Sequence, residues 1–147
     1  MSGRVLGLDL GSRRIGVAVS DGGQRLATGV TAIHRRGDRV RDHRAVDDLV
    51  NEYEAVQVVV GLPLSLSGAV GAAAQGALAE VEELRATLSV PVDTWDERFT
   101  TVAASAALRR GGRSSRGART VVDQVAAAVM LQGWLDRRNH TVSDSAG

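Results

Sequence analysis

Residues 4–21 read RVLGLDLGSRRIGVAVSD, two apolar segments joined by a short polar stretch. Both segments are rich in branched apolar residues, and Gly11 followed by Ser12 is typical of a tight turn. The stretch therefore predicts two antiparallel strands, 4–10 and 15–20. Asp9 lies inside the first of them, where burying a carboxylate is costly unless it is paired or coordinates a metal. We therefore expect a positive partner or a metal ion beside Asp9.

The rest of the sequence has the pattern of an α/β protein. Three strands followed by alternating helices and strands predict a mixed sheet with helices on its faces. Consecutive valines in QVVVGLPLS indicate a strand buried on both faces. We expect one domain over residues 1–138 and a polar, disordered tail over 139–147. The predicted elements after the first two strands are a strand (26–33), a helix (38–53), a strand (57–65), a helix (71–88), a strand within 89–98, a helix (100–110) and a last helix from Thr120 to about Arg138.

The composition limits the chemistry that the chain can perform. It has 147 residues and no cysteine, which excludes disulfides, thiolate zinc sites and a cysteine nucleophile. The histidines, His34, His43 and His140, are scattered, so we expect each to be a polar surface residue. No apolar run approaches the roughly 20 residues of a membrane-spanning helix, and no leader pattern precedes the first strand. These features predict a cytoplasmic protein without a membrane partner.

Arginine supplies all 18 basic residues, and ten of these arginines lie in two clusters. The first cluster, 35–44, has five arginines and two aspartates, and the second, 109–119, has five arginines and no acid. The guanidinium fork matches phosphate oxygens, so clustered arginine indicates nucleic-acid binding. A solvated loop is the alternative for either cluster. The candidate nucleic-acid contacts of the second cluster are Arg109, Arg110, Arg113, Arg116 and Arg119.

Three acids, Asp9, Glu97 and Asp123, differ from the solvated acids of the helix surfaces. Glu97 ends a short strand in WDERFTT, and Asp123 is predicted in the first turn of the last helix, before the apolar VAAAVML. Strand ends and helix starts meet at one edge of an α/β sheet, so the three acids can form one cluster. Such a cluster needs a cation, and Mg²⁺ or Mn²⁺ prefers oxygen ligands. In two-metal nucleases these ions activate water and stabilise the leaving oxygen.

Each of these acids also has a structural alternative. Asp9 could accept hydrogen bonds from backbone amides of the glycine turn, or pair with an arginine at 13–14. Glu97 could pair with the adjacent Arg98. Asp123 could belong to a capping box and complement the helix dipole. The functional hypothesis therefore depends on the three acids occurring together.

Four motifs in order resemble those of the YqgF family, also called RuvX. They are GLDLGSRRIGVAVSD, VVVGLPLSLSG, DERFTT and VVDQVAAAVMLQGWLD, and the match extends from about Val5 to Asp136. Members of the family resemble the resolvase RuvC in having a ribonuclease-H-like fold. The resemblance implies a mixed five-stranded sheet whose first three strands are antiparallel and whose last two are parallel to the first, with helices on both faces.

The resemblance also implies a site. Asp9, Glu97 and Asp123 would be the catalytic, metal-binding acids, with two Mg²⁺ or Mn²⁺ ions as cofactors. Arg14 would lie near the substrate phosphate or support Asp9. Arg119 stands where the family commonly has lysine, and an arginine retains the phosphate contact.

Two further pairs of residues match the family motifs. Gly61 and Pro63 would shape the loop after the central strand, and Thr100 and Thr101 would begin the helix behind Glu97. Aromatic residues make up only 3% of the sequence, which leaves little surface for base stacking. We therefore expect the protein to bind the backbone of duplex or branched nucleic acid.

The family is described as nucleases that mature the 5′ end of pre-16S ribosomal RNA, and formerly as Holliday junction resolvases. We expect the RNA role, with pre-16S RNA and ribosomal particles as partners, because a resolvase requires a two-fold dimer and the sequence has no clear dimerisation stripe. Branched DNA remains the alternative substrate, and a monomer or a homodimer remains open. A non-catalytic RNA-binding ribosome-assembly factor is a further alternative. GLDLG also resembles the start of actin-like ATPases and sugar kinases, which clamp ATP between two such domains.

Overall fold

The computed structural model describes residues 3–63, 71–99 and 116–146. Strands and helices occur in the predicted order along these ranges. The predicted helix at 100–110 lies outside them, together with Thr100 and Thr101. The elements are β1 (Arg4–Leu10), β2 (Arg14–Ser20), β3 (Ala27–His34), α1 (Arg39–Glu52), β4 (Ala55–Leu62), α2 (Ala72–Thr87), β5 (Val92–Asp96), a 3₁₀ turn (Glu97–Phe99) and α3 (Arg116–Ala146).

The five described strands form one sheet in the order β3-β2-β1-β4-β5. β1 is antiparallel to β2, and β2 is antiparallel to β3. β4 is parallel to β1, and β5 is parallel to β4. The predicted mixed sheet is therefore confirmed. Because β1, β4 and β5 run in the same direction, their carboxyl ends lie at one edge of the sheet.

Helices cover both faces of the sheet. On one face, α1 and α2 pack on the sheet through a core that includes Leu6, Val58 and Leu84. On the other face, α3 packs through a core that includes Val59 and Leu131. Neighbouring valines of β4 thus belong to opposite cores, as the unbroken valine run predicts.

Glycines in the sheet allow α3 to approach it closely. A Cβ atom on Gly16 of β2 would lie 2.2 Å from the Asp123 carbonyl oxygen, and one on Gly29 of β3 would lie 2.7 Å from the Gln124 carbonyl oxygen. Any side chain at either position would therefore push the helix away. The RIG sequence of β2 thus fixes how near Asp123 comes to the sheet.

The last helix is longer than the sequence predicts. It begins at Arg116 instead of Thr120, so Asp123 lies two turns inside the helix and not in its first turn. The capping-box alternative for Asp123 is therefore wrong. Helical backbone also continues through residues 139–146, which were predicted to be a disordered tail, because this segment contains no glycine or proline to end the helix. Within the described ranges, no helix has the length and apolarity that a membrane crossing requires.

Candidate active site

Asp9, Glu97 and Asp123 come from three elements that meet at one edge of the sheet. Asp9 is the penultimate residue of β1, Glu97 follows β5 directly, and Asp123 lies on α3 above β2. The side chains of Asp9 and Glu97 are hydrogen-bonded to each other, and the charge of Asp123 acts on Asp9. Asp9 and Glu97 thus interact directly, whereas a cluster of all three acids around a metal stays a prediction.

Burial changes the protonation of the Asp9–Glu97 pair. It raises the pKa of Glu97 to about 7, and the neighbouring charge of Asp9 adds to the effect. Burial also raises the pKa of Asp9, although the hydrogen bond from Glu97 opposes this shift and the charge of Asp123 favours it. Glu97 is therefore the donor and Asp9 the acceptor. Ionising both carboxyl groups without a compensating cation is therefore unfavourable.

Arg14 compensates the third acid. Its Nε donates a hydrogen bond to Asp123 Oδ2, and the two side chains are 22% and 25% exposed. The resemblance implied that Arg14 would contact the substrate phosphate or support Asp9. In this structure it supports Asp123, because Gly16 on the same strand allows α3 to bring that carboxylate down to β2.

The alternative for Glu97, a simple pair with Arg98, does not describe the observed contacts. Arg98 Nε donates to Asp96 Oδ2 at 2.8 Å, and this hydrogen bond lowers the pKa of Asp96. Glu97 is directed toward Asp9 instead. Gly61 makes room for it, since a Cβ atom there would lie 2.8 Å from Glu97 Oε1. Gly61 was expected to shape the loop after the central strand, but it lies within β4, where its lack of a side chain leaves room for Glu97.

The donor chemistry of this site fits a hard divalent cation. Carboxylate oxygens are the ligands that Mg²⁺ and Mn²⁺ prefer, and a cation between Asp9 and Glu97 would replace their shared proton. As the side chains stand, however, no group of three histidine, cysteine or acidic residues within 3–63, 71–99 and 116–146 is arranged to hold a metal. Asp123, engaged by Arg14, would need to turn toward the other two acids to complete such a group.

A groove of about 1170 Å³ begins at the β1–β2 turn, and its described lining includes Arg14 but none of the three acids. Its walls are the turn between β1 and β2, which carries Arg14, the connection from β3 to α1, and α2. Arg13 is an exposed cation on this turn, and small residues such as Gly76 form the opposite wall. The described lining of the groove thus combines arginines with the acids Asp38, Asp42 and Glu80.

The structure describes contacts for the first arginine cluster but not for the second. In the first, Arg35 pairs with Glu80 and Arg39 pairs with Glu83, so at least part of this cluster is engaged within the fold. In the second, the backbone at 116–119 lies in the first turns of α3. Arg109, Arg110 and Arg113 lie outside the described residues, so their contacts with nucleic acid remain a prediction, as do those of Arg116 and Arg119.

Sequence reasoning missed a buried polar group beneath α1 and α2. His43 was predicted to be a surface residue, yet it is 3% exposed, and so are Asp42 and Glu80. The helical periodicity could have shown this. His43 lies three and seven residues before the buried Val46 and Val50, which places it on the apolar face of its helix. A polar side chain at such a position needs a buried hydrogen-bond partner, which a single sequence does not identify.

Comparison with known proteins agrees with the fold. The model of the family described as "RuvX: Holliday junction resolvase" matches residues 3–137. The structure of Thermus thermophilus RuvC superposes with a TM-score of 0.55 at 16% identity, covering 94% of this chain and 97% of RuvC. T. thermophilus RuvC in complex with a Holliday junction substrate gives the same TM-score at 15% identity, covering 89% and 92%. At this identity the likeness shows the fold alone, which is the ribonuclease-H-like α/β fold.

Several proteins are much more similar to this chain in sequence than RuvC is. A protein of Rhodococcus jostii (strain RHA1) named "Putative pre-16S rRNA nuclease" is 50% identical over 151 residues, covering 99% of this chain and 85% of the relative. A protein of the same name from Anaeromyxobacter dehalogenans (strain 2CP-C) is 47% identical over 135 residues, covering 92% and 98%. With a family match over nearly its whole length and relatives at half identity, the chain belongs to the RuvX family.

Proposed function

We propose that this protein is a metal-dependent nuclease that hydrolyses phosphodiester bonds in structured nucleic acid, and that its natural reaction is 5′-end maturation of pre-16S ribosomal RNA. The observation that supports this proposal is the direct interaction of Asp9 with Glu97, with the charge of Asp123 acting on Asp9. The names of the sequence relatives support the RNA substrate. Such a substrate implies work in the cytoplasm, on ribosomal particles.

Asp9 and Glu97 would hold Mg²⁺ or Mn²⁺ after losing their shared proton, and Asp123 would join them as its contact with Arg14 loosens. When bound, the ions would activate water and stabilise the leaving oxygen. Water adds to phosphorus while the bond from phosphorus to the 3′ oxygen breaks, which leaves a 5′-phosphate and a 3′-hydroxyl. Arg14, released from Asp123, would then be free to contact the phosphate.

The substrate would be bound through its backbone. The described lining of the groove beside Arg14 includes no phenylalanine, tyrosine or tryptophan, so apart from the imidazole of His34 it offers hydrogen bonds and charge instead of stacking surfaces. Arg13 at its rim provides one phosphate contact, and the 109–119 cluster, which precedes Asp123 in sequence, provides the others. Binding of this kind responds to the shape of a duplex or junction and not to individual bases.

Holliday junction resolution is the second candidate. It is favoured by the description of the matching family, and it uses the same acids and the same bond cleavage. It differs in requiring two such sites related by a two-fold axis, so that paired nicks are made. A nuclease that trims one RNA end has no such requirement.

Cleavage assays with Mn²⁺ test the proposal directly. Wild type and Asp9→Asn are compared on pre-16S RNA that retains its 5′ leader and on a synthetic four-way junction. Removing a residue that only supports a metal ligand reduces metal affinity or activity by roughly 10–100-fold. Removing a ligand itself should therefore reduce cleavage by more than about 100-fold. Asp48→Asn, an exchange at an exposed residue of α1, should leave cleavage unchanged.

The substrates distinguish the candidate functions. Cleavage of the RNA alone supports maturation, and paired nicks in the junction alone support resolution. Binding of RNA without cleavage would favour the ribosome-assembly factor. Equal cleavage by wild type and Asp9→Asn would assign the activity to a contaminant and contradict the nuclease proposal.

A further inference from the structure

Four charged or polar residues form a buried network on the face of the sheet opposite α3. Arg35, just after β3, donates from Nη1 and Nη2 to the two carboxylate oxygens of Glu80 on α2, each at 2.9 Å. His43 Nε2 on α1 lies 2.7 Å from Glu80 Oε2, and Asp42 Oδ2 lies 3.7 Å from Arg35 Nη1. The network therefore joins both helices of this face to the end of β3.

Glu80 is the ionised centre of this network. Burial alone would raise its pKa, but hydrogen bonds from Arg35 and His43 outweigh that effect, so the pKa of Glu80 lies below its usual value. A buried ion pair of this kind adds little net stability compared with a well-packed apolar pair. Fold stability alone is therefore a weak reason for placing these charges here.

The third nitrogen of Arg35 points to the turn between β1 and β2. Its Nε donates to the Gly11 carbonyl oxygen at 2.7 Å, and its backbone N–H donates to the Arg13 carbonyl oxygen at 2.8 Å. Within the turn, the Gly11 N–H donates to the Arg14 carbonyl oxygen at 2.9 Å. Arg35 thus clamps both arms of the turn that connects Asp9 to Arg14.

We propose that Arg35, anchored by Glu80, is a positioning residue of the catalytic centre, holding the β1–β2 turn so that Asp9 and Arg14 keep their places. This inference rests on the proposed function. A guanidinium is required because one group must satisfy two Glu80 oxygens and a carbonyl oxygen at fixed angles, and the single ammonium of lysine cannot reach all three.

Arg35→Lys tests the proposal. It retains the charge beside Glu80 but loses the contact with the Gly11 carbonyl, so kcat should fall by about 10–100-fold with KM nearly unchanged. Arg85→Lys is the matched control. Arg85 also combines an acid partner, Glu82, with a carbonyl acceptor, that of Val92 at 3.0 Å, but lies far from the turn. It should leave kcat unchanged.

A second control separates positioning from general destabilisation. Val46→Ala opens a cavity in the core under α1 and should lower the melting temperature while leaving kcat unchanged below the transition. Amide hydrogen exchange gives a readout that needs no nuclease activity. Arg35→Lys should accelerate exchange of the Gly11 N–H at least about tenfold, and Val46→Ala should not.

The outcomes distinguish this inference from the proposed function. Faster Gly11 exchange with reduced kcat and an unchanged KM supports the positioning role. Unchanged Gly11 exchange in Arg35→Lys overturns it, and so does an equal loss of kcat in Val46→Ala. Wild-type protein that cleaves neither substrate would refute the nuclease, and the catalytic role of Arg35 with it, while the exchange data would still decide whether Arg35 fixes the turn.

Discussion

Replacing Glu97 by glutamine should stabilise the metal-free protein above neutral pH and leave it unchanged in mild acid. The folded state raises the pKa of Glu97 from 4.5 to about 7 because of burial and the charge of Asp9. A carboxyl group with a raised pKa destabilises the fold only where it must ionise. The penalty is absent below pH 4.5, grows as the pH rises toward 7, and is complete above that. Glutamine has nearly the same shape and never ionises.

The expected change in the free energy of unfolding follows from the raised pKa of Glu97. A rise from 4.5 to about 7 corresponds to about 3 kcal/mol at ~1.4 kcal/mol per pKa unit. Glu97 is partly exposed, and solvent screening reduces the effect to about 1–2 kcal/mol of unfolding free energy. For a chain of this length the melting temperature should rise by about 2–8 °C.

The assay compares thermal unfolding of wild type and Glu97→Gln at about pH 5 and about pH 8 in the presence of a chelator. Glu83→Gln serves as the control, since Glu83 lies in an exposed ion pair with Arg39. This control should change stability by no more than about 0.5 kcal/mol at either pH. Only the difference between variants at each pH is interpreted, so other titrating groups cancel.

Magnesium provides the second half of the test. An ion that binds only the folded state stabilises it by about 2.7 kcal/mol at a concentration of about one hundred times its Kd. Wild type at pH 8 should therefore gain stability from Mg²⁺ or Mn²⁺, and Glu97→Gln should gain much less. The reasoning would be refuted if Glu97→Gln had the same effect at both pH values, or if both proteins responded equally to the metal.

Three further predictions concern the surroundings of the acids. Arg14→Gln leaves Asp123 without its partner, so the metal-free protein should melt at a lower temperature and show a larger rise in melting temperature with Mg²⁺ than wild type. Gly16→Ala places a Cβ 2.2 Å from the Asp123 carbonyl oxygen, so it should cost about 1–3 kcal/mol in denaturant unfolding and abolish cleavage. The double variant Arg113→Ala/Arg116→Ala should flatten the dependence of log K on log salt by roughly 1.4–1.8 in filter binding, because each phosphate contact contributes about 0.7–0.9.

Matched exchanges control these three predictions. Arg85→Gln removes an arginine elsewhere in the fold and should not enlarge the response to Mg²⁺. Gly22→Ala adds a methyl group where no heavy atom lies within 4 Å, so it should be tolerated. Arg4→Ala/Arg25→Ala removes two exposed arginines, at the opposite end of β1 from Asp9 and in the loop after β2, and should leave the salt slope nearly unchanged. If the Arg4→Ala/Arg25→Ala control changed the salt slope as much as Arg113→Ala/Arg116→Ala does, the slope would report total charge only. The prediction that the second cluster contacts nucleic acid would then be contradicted.

The sheet was predictable because its pattern is local. Two apolar segments around a glycine turn predicted the first hairpin, and a run of valines predicted a strand buried on both faces. The start of α3 was not predictable in this way. A threonine that resembles an N-cap placed it at Thr120, whereas the helix begins at Arg116 and continues through Gly117, a residue that local helix propensity disfavours.

The buried network around Glu80 shows a different limit. Periodicity places His43 and Glu80 among buried positions of their helices, and this part could have been read from the sequence. The other partner of Glu80, Arg35, is 45 residues away in sequence and lies in a cluster that resembles a nucleic-acid site. Charge clustering alone does not distinguish an arginine that binds phosphate from one that neutralises a buried acid, because both uses exploit the same guanidinium fork.

The partner of Arg14 follows from register once the last helix is placed. In the β1–β2 hairpin Asp9 lies opposite Gly16, and side chains alternate along a strand, so Arg14, Gly16 and Asp9 share one face of the sheet. Register alone would therefore pair Arg14 with Asp9, as one reading of the sequence proposed. The absence of a side chain at Gly16 lets α3 approach, and its Asp123 captures Arg14. The same glycine thus brings Asp123 to Arg14, and Asp9 interacts with Glu97 instead of with Arg14.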